Sequence, residues 1–545
     1  MRAPKSWIAE YVDIPANLTD QQIADGLVRV GFEVEEIIVE GKDLTGPLVV
    51  GKVLAIEELK EHKKPIRYVE LDCGEGQSRF VICGAQNFKV GDLIVASLPG
   101  AVLPGGFAIS ARETYGKTSN GMICSAKELG LGDDHSGIIV LPEGTPGQDA
   151  LELLQINDTI FDVAVNPDRG YALSIRGIAR EIAGAFGLAF KDPAAIKIDF
   201  KESGTPVPAK ISDGAHVMYL RTMDGFNPAA PTPMWMRRRI EKCGMRSISL
   251  AVDVTNYVMM ELGQPLHAFD ADEINGGLEI RRAGSSKKLK TLDGVERNLN
   301  EDDLVVADAK NVLALAGTMG GLDSEITEKT TRIALEAVRF EAIAIAKNSR
   351  RHKLSSEASR RLERGVDPTL AEISSARASQ LLMELGGATY VGTSVVGAPK
   401  FLDPIKLDPT YVSKRIGLEI SEAVVKEKLE LVGCKVEGSG TFTVTPPTWR
   451  TELFTPADLS EEVARNIGYD QIPSNLPPRK TAATLTAAQK RQRVLAQTLV
   501  SRGYTEILNF PFVNRDLIDK MGFVGARAES YKIANPMSED QPYLR

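Results

Sequence analysis

Residues 18–35 read LTDQQIADGLVRVGFEVE, and residues 420–437 read ISEAVVKEKLELVGCKVE. The two stretches align without a gap, and each begins with a good helix N-cap residue, Thr19 or Ser421. Apolar residues then recur at helical spacing until a glycine ends the helix before a short extended segment. The matched positions include Leu27 with Leu429, Gly31 with Gly433, and Glu35 with Glu437. We therefore predict one helix–strand unit that occurs twice in the chain.

A second set of matched positions completes the repeated unit with a strand and a helix. It pairs Phe161 with Phe442, Arg169 with Arg450, Glu181 with Glu462, and Gly187 with Gly468. The offset is 281 residues here but 402 residues in the first set, so the first copy carries an insertion of about 120 residues. We assign residues 1–40 and 154–195 to the interrupted first copy, 41–153 to the insertion, and 400–475 to the second copy.

The other regions complete a multidomain α+β fold. Residues 41–153 hold many short β-rich runs separated by glycine and proline, which is typical of a small OB-type β-barrel. Residues 212–395 read as a mixed α+β domain. Residues 476–545 begin a further module with a helix at 486–502 and a strand at Glu506–Phe510. Because no closing signal follows, we interpret the end at Arg545 as a truncation.

Composition indicates a cytoplasmic protein. The 545 residues are 43% hydrophobic and carry a net charge of −8, and no stretch is long and apolar enough to span a bilayer. The N-terminus lacks an apolar signal region. Five scattered cysteines suit neither a disulfide framework nor a zinc site. The acidic balance argues against a dedicated nucleic-acid-binding domain but permits local basic patches.

Four acidic residues of the second copy form a candidate metal site: Glu452, Asp458, Glu461 and Glu462. The last three share one face of a predicted helix, where like charges repel one another and a divalent cation would offset the repulsion. Three of the four equivalent positions in the first copy are not acidic, so the scaffold does not need these acids. Spacing alone leaves open a metal or partner site and a solvated helix start.

Several motifs together resemble the β subunit of bacterial-type phenylalanyl-tRNA synthetase. The insertion carries Cys83-Gly-Ala-Gln-Asn87, Gly100-Ala-Val-Leu-Pro-Gly-Gly106 and Ser119-Asn-Gly-Met-Ile-Cys-Ser125, similar to the tRNA-binding OB domain of that family. The middle domain carries Asp253-Val-Thr-Asn-Tyr257, Gly263-Gln-Pro-Leu-His-Ala-Phe-Asp270, Met319-Gly-Gly321 and Glu363-Arg-Gly-Val-Asp-Pro368, similar to its B3/B4 editing domain. The second copy carries Pro447-Thr-Trp-Arg450 and Glu461-Glu-Val-Ala-Arg465, similar to its B5 domain. Residues 476–545 resemble the start of its catalytic-like class II synthetase module.

The resemblance implies a role in an α2β2 ligase that joins phenylalanine to tRNA(Phe) with ATP at an active site in the α subunit. It also implies that the acidic quartet binds Mg²⁺ shared with the α subunit, although this chain has Glu452 where the family usually has Asp.

The middle domain would hydrolyse mischarged tyrosyl-tRNA(Phe) in a pocket formed by His267, Gly320, Glu336, Ser356 and Ala358. Such a second site is needed because an apolar synthetic pocket rejects an added hydroxyl only about a hundredfold. Glu336 is the candidate to recognise the tyrosine hydroxyl. Two alternatives are a non-catalytic tRNA-binding scaffold and a freestanding tRNA deacylase.

Overall fold

The computed structural model describes residues 1–59, 65–131, 135–478 and 484–545. The contacts divide the chain into two compact units, residues 1–473 and residues 474–545. Among the helices in the described ranges, none has the length and apolar character that a membrane crossing requires.

The chain starts with the first part of the repeated unit. Its elements are β1 (Arg2–Pro4), α1 (Lys5–Ile8), α2 (Asp20–Arg29) and β2 (Glu33–Glu40). Helix α2 begins at the predicted N-cap, where the Thr19 hydroxyl accepts a hydrogen bond from the Gln22 backbone N–H at 3.2 Å. The Gln22 side-chain oxygen in turn accepts from the Thr19 backbone N–H at 2.9 Å. This reciprocal capping satisfies two donors that the first turn of a helix leaves free.

The insertion is a β-domain with one apolar core of its own and a second that also includes Met234 of the middle domain. Its elements are β3 (Leu48–Leu59), β4 (Ile66–Asp72), β5 (Ser78–Cys83), β6 (Leu93–Ser97), β7 (Val102–Leu103), β8 (Phe107–Ala108), β9 (Arg112–Thr114), β10 (Lys117–Ser119), β11 (Met122–Ile123), β12 (Val140–Leu141) and α3 (Ala150–Leu153). Five strands run in the antiparallel order β11-β6-β3-β4-β5, and β12 also pairs with β6. Within the described residues no strand ladder joins β5 to β11, but the two end strands contact each other, and the Asn120 backbone N–H donates to the Phe80 carbonyl oxygen at 2.7 Å.

The first copy resumes after the insertion with β13 (Asp158–Ala164) and α4 (Ile175–Phe186). Strand β13 inserts between the two earlier strands, so the sheet order is β1-β13-β2. Helices α2 and α4 pack together. The two parts of the unit are therefore distant in sequence but form one layer of helices on one sheet.

The middle domain contains two main sheets. Its elements are β14 (Ala209–Ile211), β15 (Ala215–Asp224), α5 (Met234–Lys242), α6 (Leu250–Leu262), β16 (Leu266–Asp270), β17 (Leu278–Arg282), β18 (Lys288–Lys290), β19 (Glu296–Asn298), β20 (Leu304–Ala307), β21 (Val312–Leu315), β22 (Met319–Gly320), β23 (Ile333–Phe340), α7 (Ala342–His352), α8 (Glu357–Arg364), α9 (Leu370–Gly386) and β24 (Thr389–Gly397). One sheet has the order β14-β17-β20-β21-β22, and the other has the order β16-β23-β15-β24. Helices α6 and α9 pack against each other, and α9 covers β15 and β23.

The first copy and the middle domain share one hydrophobic core. The cluster runs from Trp7 and Phe161 of the first copy to Tyr257 and Phe269 of the middle domain. Trp7 and Tyr257 stack with their ring centroids 4.7 Å apart. The sequence divided these segments into separate domains, whereas packing joins them into one body.

The second copy repeats the topology of the first. Its elements are β25 (Ile405–Leu407), α10 (Pro409–Ile416), α11 (Glu422–Leu431), β26 (Lys435–Glu437), β27 (Phe442–Thr445) and α12 (Pro456–Ile467). The strand order β25-β27-β26 corresponds to β1-β13-β2, and helices α11 and α12 correspond to α2 and α4. Its small core is separate from the main one. The duplication predicted from the sequence is thus confirmed.

The second unit, residues 474–545, contains α13 (Ala487–Ser501), β28 (Phe512–Val513), α14 (Arg515–Lys520) and β29 (Tyr543–Leu544). Helix α13 agrees with the helix predicted at 486–502. The strand predicted at Glu506–Phe510 is wrong, because this segment has no strand structure and exposes Ile507 and Leu508. An apolar run becomes a strand only when another strand pairs with it, and within the described residues no strand pairs with this one.

The glycines that end the two matched helices provide a test of the duplicated fold. Gly31 and Gly433 have φ angles of +92° and +96°. A Cβ on Gly433 would lie 2.6 Å from the ring of Trp449, whereas the nearest atom to a Cβ on Gly31 is 3.8 Å away. We expect Gly31→Ala to destabilise the chain by about 1 kcal/mol through backbone strain alone. Gly433→Ala should destabilise it further and change the fluorescence of Trp449. Equal melting temperatures for the two variants would contradict this steric difference.

Candidate functional site

A cavity of about 770 Å³ lies in the middle domain. It is lined by residues of α6, β16, β22, β23 and the start of α8. The structure brings to this one cavity all five residues that the sequence predicted for a hydrolytic pocket. They are His267, Gly320, Glu336, Ser356 and Ala358.

His267 and Glu336 form the polar pair of the cavity wall. They lie directly opposite each other on the adjacent antiparallel strands β16 and β23. Residues in this relation project from the same face of a sheet. The edge of the His267 ring packs against Phe269, with centroids 4.4 Å apart. Two strand positions that are 69 residues apart in sequence thus contribute neighbouring polar groups to one apolar space.

Burial makes both of these groups uncharged near neutral pH. Glu336 is only 6% exposed, and its burial raises the pKa of the carboxyl group to about 8. Burial also lowers the pKa of His267 to about 4. The Nε2 atom of His267 is buried and has no hydrogen-bond partner among the described residues. A neutral carboxylic acid and a neutral imidazole therefore offer a donor and an acceptor to a ligand hydroxyl.

Gly320 is required where β22 passes the imidazole. A Cβ on this residue would lie 2.7 Å from Cε1 and 2.9 Å from Nε2 of His267. It would also lie 3.1 Å from Cδ1 of Leu292. Any larger side chain would therefore displace the imidazole or fill the cavity beside it.

Ser356 and Ala358 contribute the start of α8 to the cavity wall. The Ser356 hydroxyl accepts a hydrogen bond from the Ser359 backbone N–H at 3.0 Å and donates one to the Thr318 carbonyl oxygen at 2.9 Å. The hydroxyl of Ser356 thus caps α8 and links its start to the Thr318 segment, which precedes β22. Ala358 adds only a methyl group, which leaves space in the cavity.

One face of α6 also lines the cavity, and the sequence did not single out its residues. Thr255, Asn256 and Met259 lie three, four and seven residues after Val252, which places all four on one helical face. Thr255 and Asn256 lie inside the motif Asp253-Val-Thr-Asn-Tyr257. The 3.6-residue helical period of that stretch could have indicated which of its residues share a face. Asp253 of the same motif faces elsewhere and accepts three hydrogen bonds of 2.6–2.8 Å. Its role is structural.

Glu462, one of the four predicted metal ligands, is surrounded by arginines. Its carboxylate accepts hydrogen bonds from Arg450 at 2.6 and 2.7 Å, from Arg465 at 2.8 Å, and from Arg169 of the first copy. Burial alone would raise the pKa of Glu462, but the contacts with Arg450, Arg465 and Arg169 hold it well below its usual value. Glu462 is therefore a buried carboxylate whose charge is already neutralised.

The other three predicted ligands have separate partners. Glu452 pairs with Arg450, Asp458 accepts from the backbone N–H and hydroxyl of Thr455, and Glu461 accepts from the hydroxyl of Tyr469. Within the described residues, no group of three or more His, Cys, Asp or Glu is arranged to hold a metal ion. The expected crowding of four uncompensated carboxylates is thus wrong, because arginines neutralise Glu452 and Glu462.

An exposed aromatic patch lies on the insertion. Tyr68 and Phe80 stack with centroids 5.4 Å apart, and the Lys117 ammonium lies 4.8 Å above the Tyr68 ring. This ammonium also pairs with Glu57 at 2.9 Å. Phe80 is 39% exposed. Exposed aromatic faces suit the stacking of unpaired nucleobases.

Four protein-family models match the chain. They are described as a putative tRNA binding domain at residues 48–149, a B3/4 domain at 214–387, a tRNA synthetase B5 domain at 405–469, and a phenylalanyl tRNA synthetase beta chain CLM domain at 472–545. The matched B3/4 region contains the cavity, and the matched B5 region contains Glu462.

Similar proteins are phenylalanine–tRNA ligase beta subunits. The one from Thermobifida fusca is 50% identical over 557 residues, which cover 100% of this chain and 67% of the relative. The one from Streptomyces avermitilis is 47% identical, with the same coverage of each chain. This chain spans about two thirds of the length of these relatives. The match to the crystal structure of an N-terminal fragment of the Pyrococcus horikoshii phenylalanyl-tRNA synthetase beta subunit covers 86% of this chain and 99% of that one, at 11% identity and a TM-score of 0.35.

The pKa of Glu336 predicts a pH-dependent stability. Because burial raises this pKa to about 8, the folded chain keeps a proton that the unfolded chain loses above about pH 4.5. The contribution of Glu336 should therefore fall as the pH rises from about 5 to about 8 and should stay constant above that range. Glu336→Gln removes the titration, so its melting temperature relative to the wild type should rise across this range. If the difference in melting temperature between the variant and the wild type does not change with pH, the conclusion that the Glu336 carboxyl group is buried and protonated is contradicted.

Proposed function

The chain belongs to the family of phenylalanine–tRNA ligase β subunits, and on that premise we propose that its middle domain hydrolyses tyrosyl-tRNA(Phe) formed in error by the ligase. The ligase joins L-phenylalanine to tRNA(Phe) and converts ATP to AMP and diphosphate. The chain supplies the β subunit of this enzyme, which is built from two kinds of subunit. The proposed assembly is α2β2, with the ATP-dependent active site in the α subunit.

The cavity chemistry is the observation that supports hydrolysis of the tyrosyl ester. The space of about 770 Å³ accommodates a tyrosine ring and the ribose that carries the ester. Its wall is largely apolar, and its two buried polar groups, on His267 and Glu336, are uncharged at neutral pH. A phenol hydroxyl can accept a hydrogen bond from the protonated Glu336 and donate one to the free Nε2 of His267.

Phenylalanine would leave the same two groups without partners. A buried donor or acceptor that loses its partner costs about 1–3 kcal/mol. The cavity therefore selects for the hydroxyl, in the opposite sense to the synthetic site of the ligase, which must reject it. The combination of the two sites gives a discrimination that an apolar pocket alone does not reach.

Removal of the Glu336 carboxyl group should abolish the selectivity for tyrosine. We expect Glu336→Ala to lower the rate of tyrosyl-tRNA(Phe) hydrolysis about 10- to 100-fold, because the change removes one buried hydrogen bond and leaves the tyrosine hydroxyl desolvated and unpaired. The assay follows release of labelled tyrosine from purified tyrosyl-tRNA(Phe). Glu341→Ala, which truncates an exposed carboxylate next to the end of β23, is the matched control.

The same assay separates the proposed function from its alternatives. A non-catalytic tRNA-binding scaffold would release no tyrosine in either variant. A freestanding deacylase would release tyrosine without supporting phenylalanine-dependent ATP–diphosphate exchange when an α subunit is added. Equal hydrolysis by Glu336→Ala and the wild type would contradict the assigned role of the carboxyl group.

We propose that magnesium binds on the face shared with the α subunit through two of the four predicted ligands, Asp458 and Glu461. Asp458 and Glu461 lie three residues apart on α12, and Glu461 is exposed. Asp458 Oδ1 and Glu461 Oε2 have no hydrogen-bond partner among the described residues. One or two carboxylates completed by water are a usual ligand set for Mg²⁺. The remaining ligands would come from water and from the second subunit.

Replacement of Asp458 and Glu461 by Asn and Gln should lower the bound Mg²⁺ of the αβ complex without unfolding the chain. Bound metal is measured by elemental analysis after gel filtration, and melting temperature reports the fold. Glu427→Gln, on the exposed face of α11, is the control for a lost surface charge. Full retention of Mg²⁺ by the double variant would overturn this assignment.

We also propose that the insertion contacts tRNA. The stacked Tyr68 and Phe80 provide a surface for unpaired bases, in the region that matches a putative tRNA binding domain. The five cysteines are buried and unpaired, which suits the cytoplasmic location proposed for the enzyme.

A further inference from the structure

The repeated positions of the two copies contact each other across the molecule. Arg169 corresponds to Arg450 in the sequence match, and Glu181 corresponds to Glu462. In the structure, Arg169 of the first copy donates to Glu462 of the second. Arg465 of the second copy donates in return to Glu181 of the first at 2.8 Å. Each copy thus supplies an arginine to the glutamate of the other.

The ion pairs between the copies are buried. Arg169 is 6% exposed and its partner Glu462 is 1% exposed, while Arg465 is 2% exposed and its partner Glu181 is 8% exposed. Arg465 also donates to the carbonyl oxygen of Val30 in the first copy at 3.1 Å. The hydroxyl of Tyr171 donates to Glu181 at 2.6 Å. Buried charges of this kind are tolerated only when their hydrogen-bonding capacity is satisfied, and breaking one of them is costly.

The buried and half-buried part of the cluster is balanced in charge. It contains three guanidinium groups and three carboxylates: Arg169, Arg450, Arg465, Glu181, Glu452 and Glu462. The exposed carboxylate of Asp168 also pairs with Arg169, at 3.5 Å. A divalent cation bound directly to Glu462 would lie against three guanidinium groups and would add two positive charges to this neutral buried part. In a buried setting such an excess is strongly unfavourable.

Apolar packing alone does not explain how the second copy is held. Its core is separate from the core that the first copy shares with the middle domain. Trp449 is the residue of the second copy that packs against the main core, and the Arg180 guanidinium lies 3.7 Å above its ring. The ion-pair cluster lies beside this contact, through the neighbouring Arg450.

We infer that Glu462 is the central anion of a buried ion-pair lock that joins the two copies of the duplicated unit, and that it is not a ligand of magnesium. The lock fixes the B5-type copy on the N-terminal copy. It thereby holds α12, which carries Asp458 and Glu461, in a fixed position relative to the main body. The inference concerns the fold and does not depend on the proposed hydrolysis.

Hydrogen exchange of the whole 545-residue chain tests the lock. We expect Glu462→Gln to accelerate amide exchange in α12 and α4 at least about 10-fold, because it leaves three arginines with too few partners. The acceleration should be the same with magnesium chloride and with EDTA. The control Glu427→Gln should exchange like the wild type. If EDTA alone accelerates exchange of the wild type as strongly, or if Glu462→Gln has no effect, the inference is overturned.

Arg169→Gln keeps the inference testable if Glu462→Gln does not fold. This change removes one arginine of the first copy and leaves two on Glu462, so exchange in α12 should accelerate by a smaller factor. Where both single variants fold, the double variant should show less than the product of their effects, since the two residues share one interaction. Unchanged exchange in α12 of Arg169→Gln, or effects that multiply fully, would overturn the lock.

Discussion

Five buried residues, Arg169, Arg450, Arg465, Glu181 and Glu462, place the two copies of the repeated unit against each other. The second copy has an apolar core of its own, whereas the first copy shares one core with the middle domain and a core of the insertion also includes Met234 of that domain. Charged groups can join such bodies only where every donor and acceptor is paired. The arrangement of the B5-type copy, and of the acidic face that it carries, therefore depends on arginines contributed by both copies.

The cavity of the middle domain depends on a different use of burial. At Glu462 the guanidinium groups compensate the cost of removing a carboxylate from water, and the group stays ionised. At Glu336 no guanidinium partner is present among the described residues, and the carboxyl group keeps its proton instead. One residue type thus serves as a fixed anion in one domain and as a neutral hydrogen-bonding group in another. The second state is the one that can recognise an uncharged hydroxyl.

Motifs in the sequence selected residues that line one cavity, whereas their local spacing gave no sign that they lie together. All five pocket residues line one cavity, yet their sequence positions run from His267 to Ala358 and no spacing rule connects them. The wall formed by α6 was missed, although its helical period is visible in the sequence. The electrostatic surroundings of the acidic quartet were not visible in its spacing. Its spacing was read as unpaired charge, and the arginine that reaches Glu462 from the first copy is 293 residues away in the chain.

The sequence by itself determined the duplication, the place of the insertion, the capped helices and the β-rich character of the insertion. These features depend on local propensity and on periodic patterns, which neighbouring residues set together. Only the tertiary structure decided which carboxylates are neutralised, which polar atoms lack partners, and which segments share a core. Those properties depend on groups that are far apart in the chain and on their distance from water, and a one-dimensional pattern contains neither quantity.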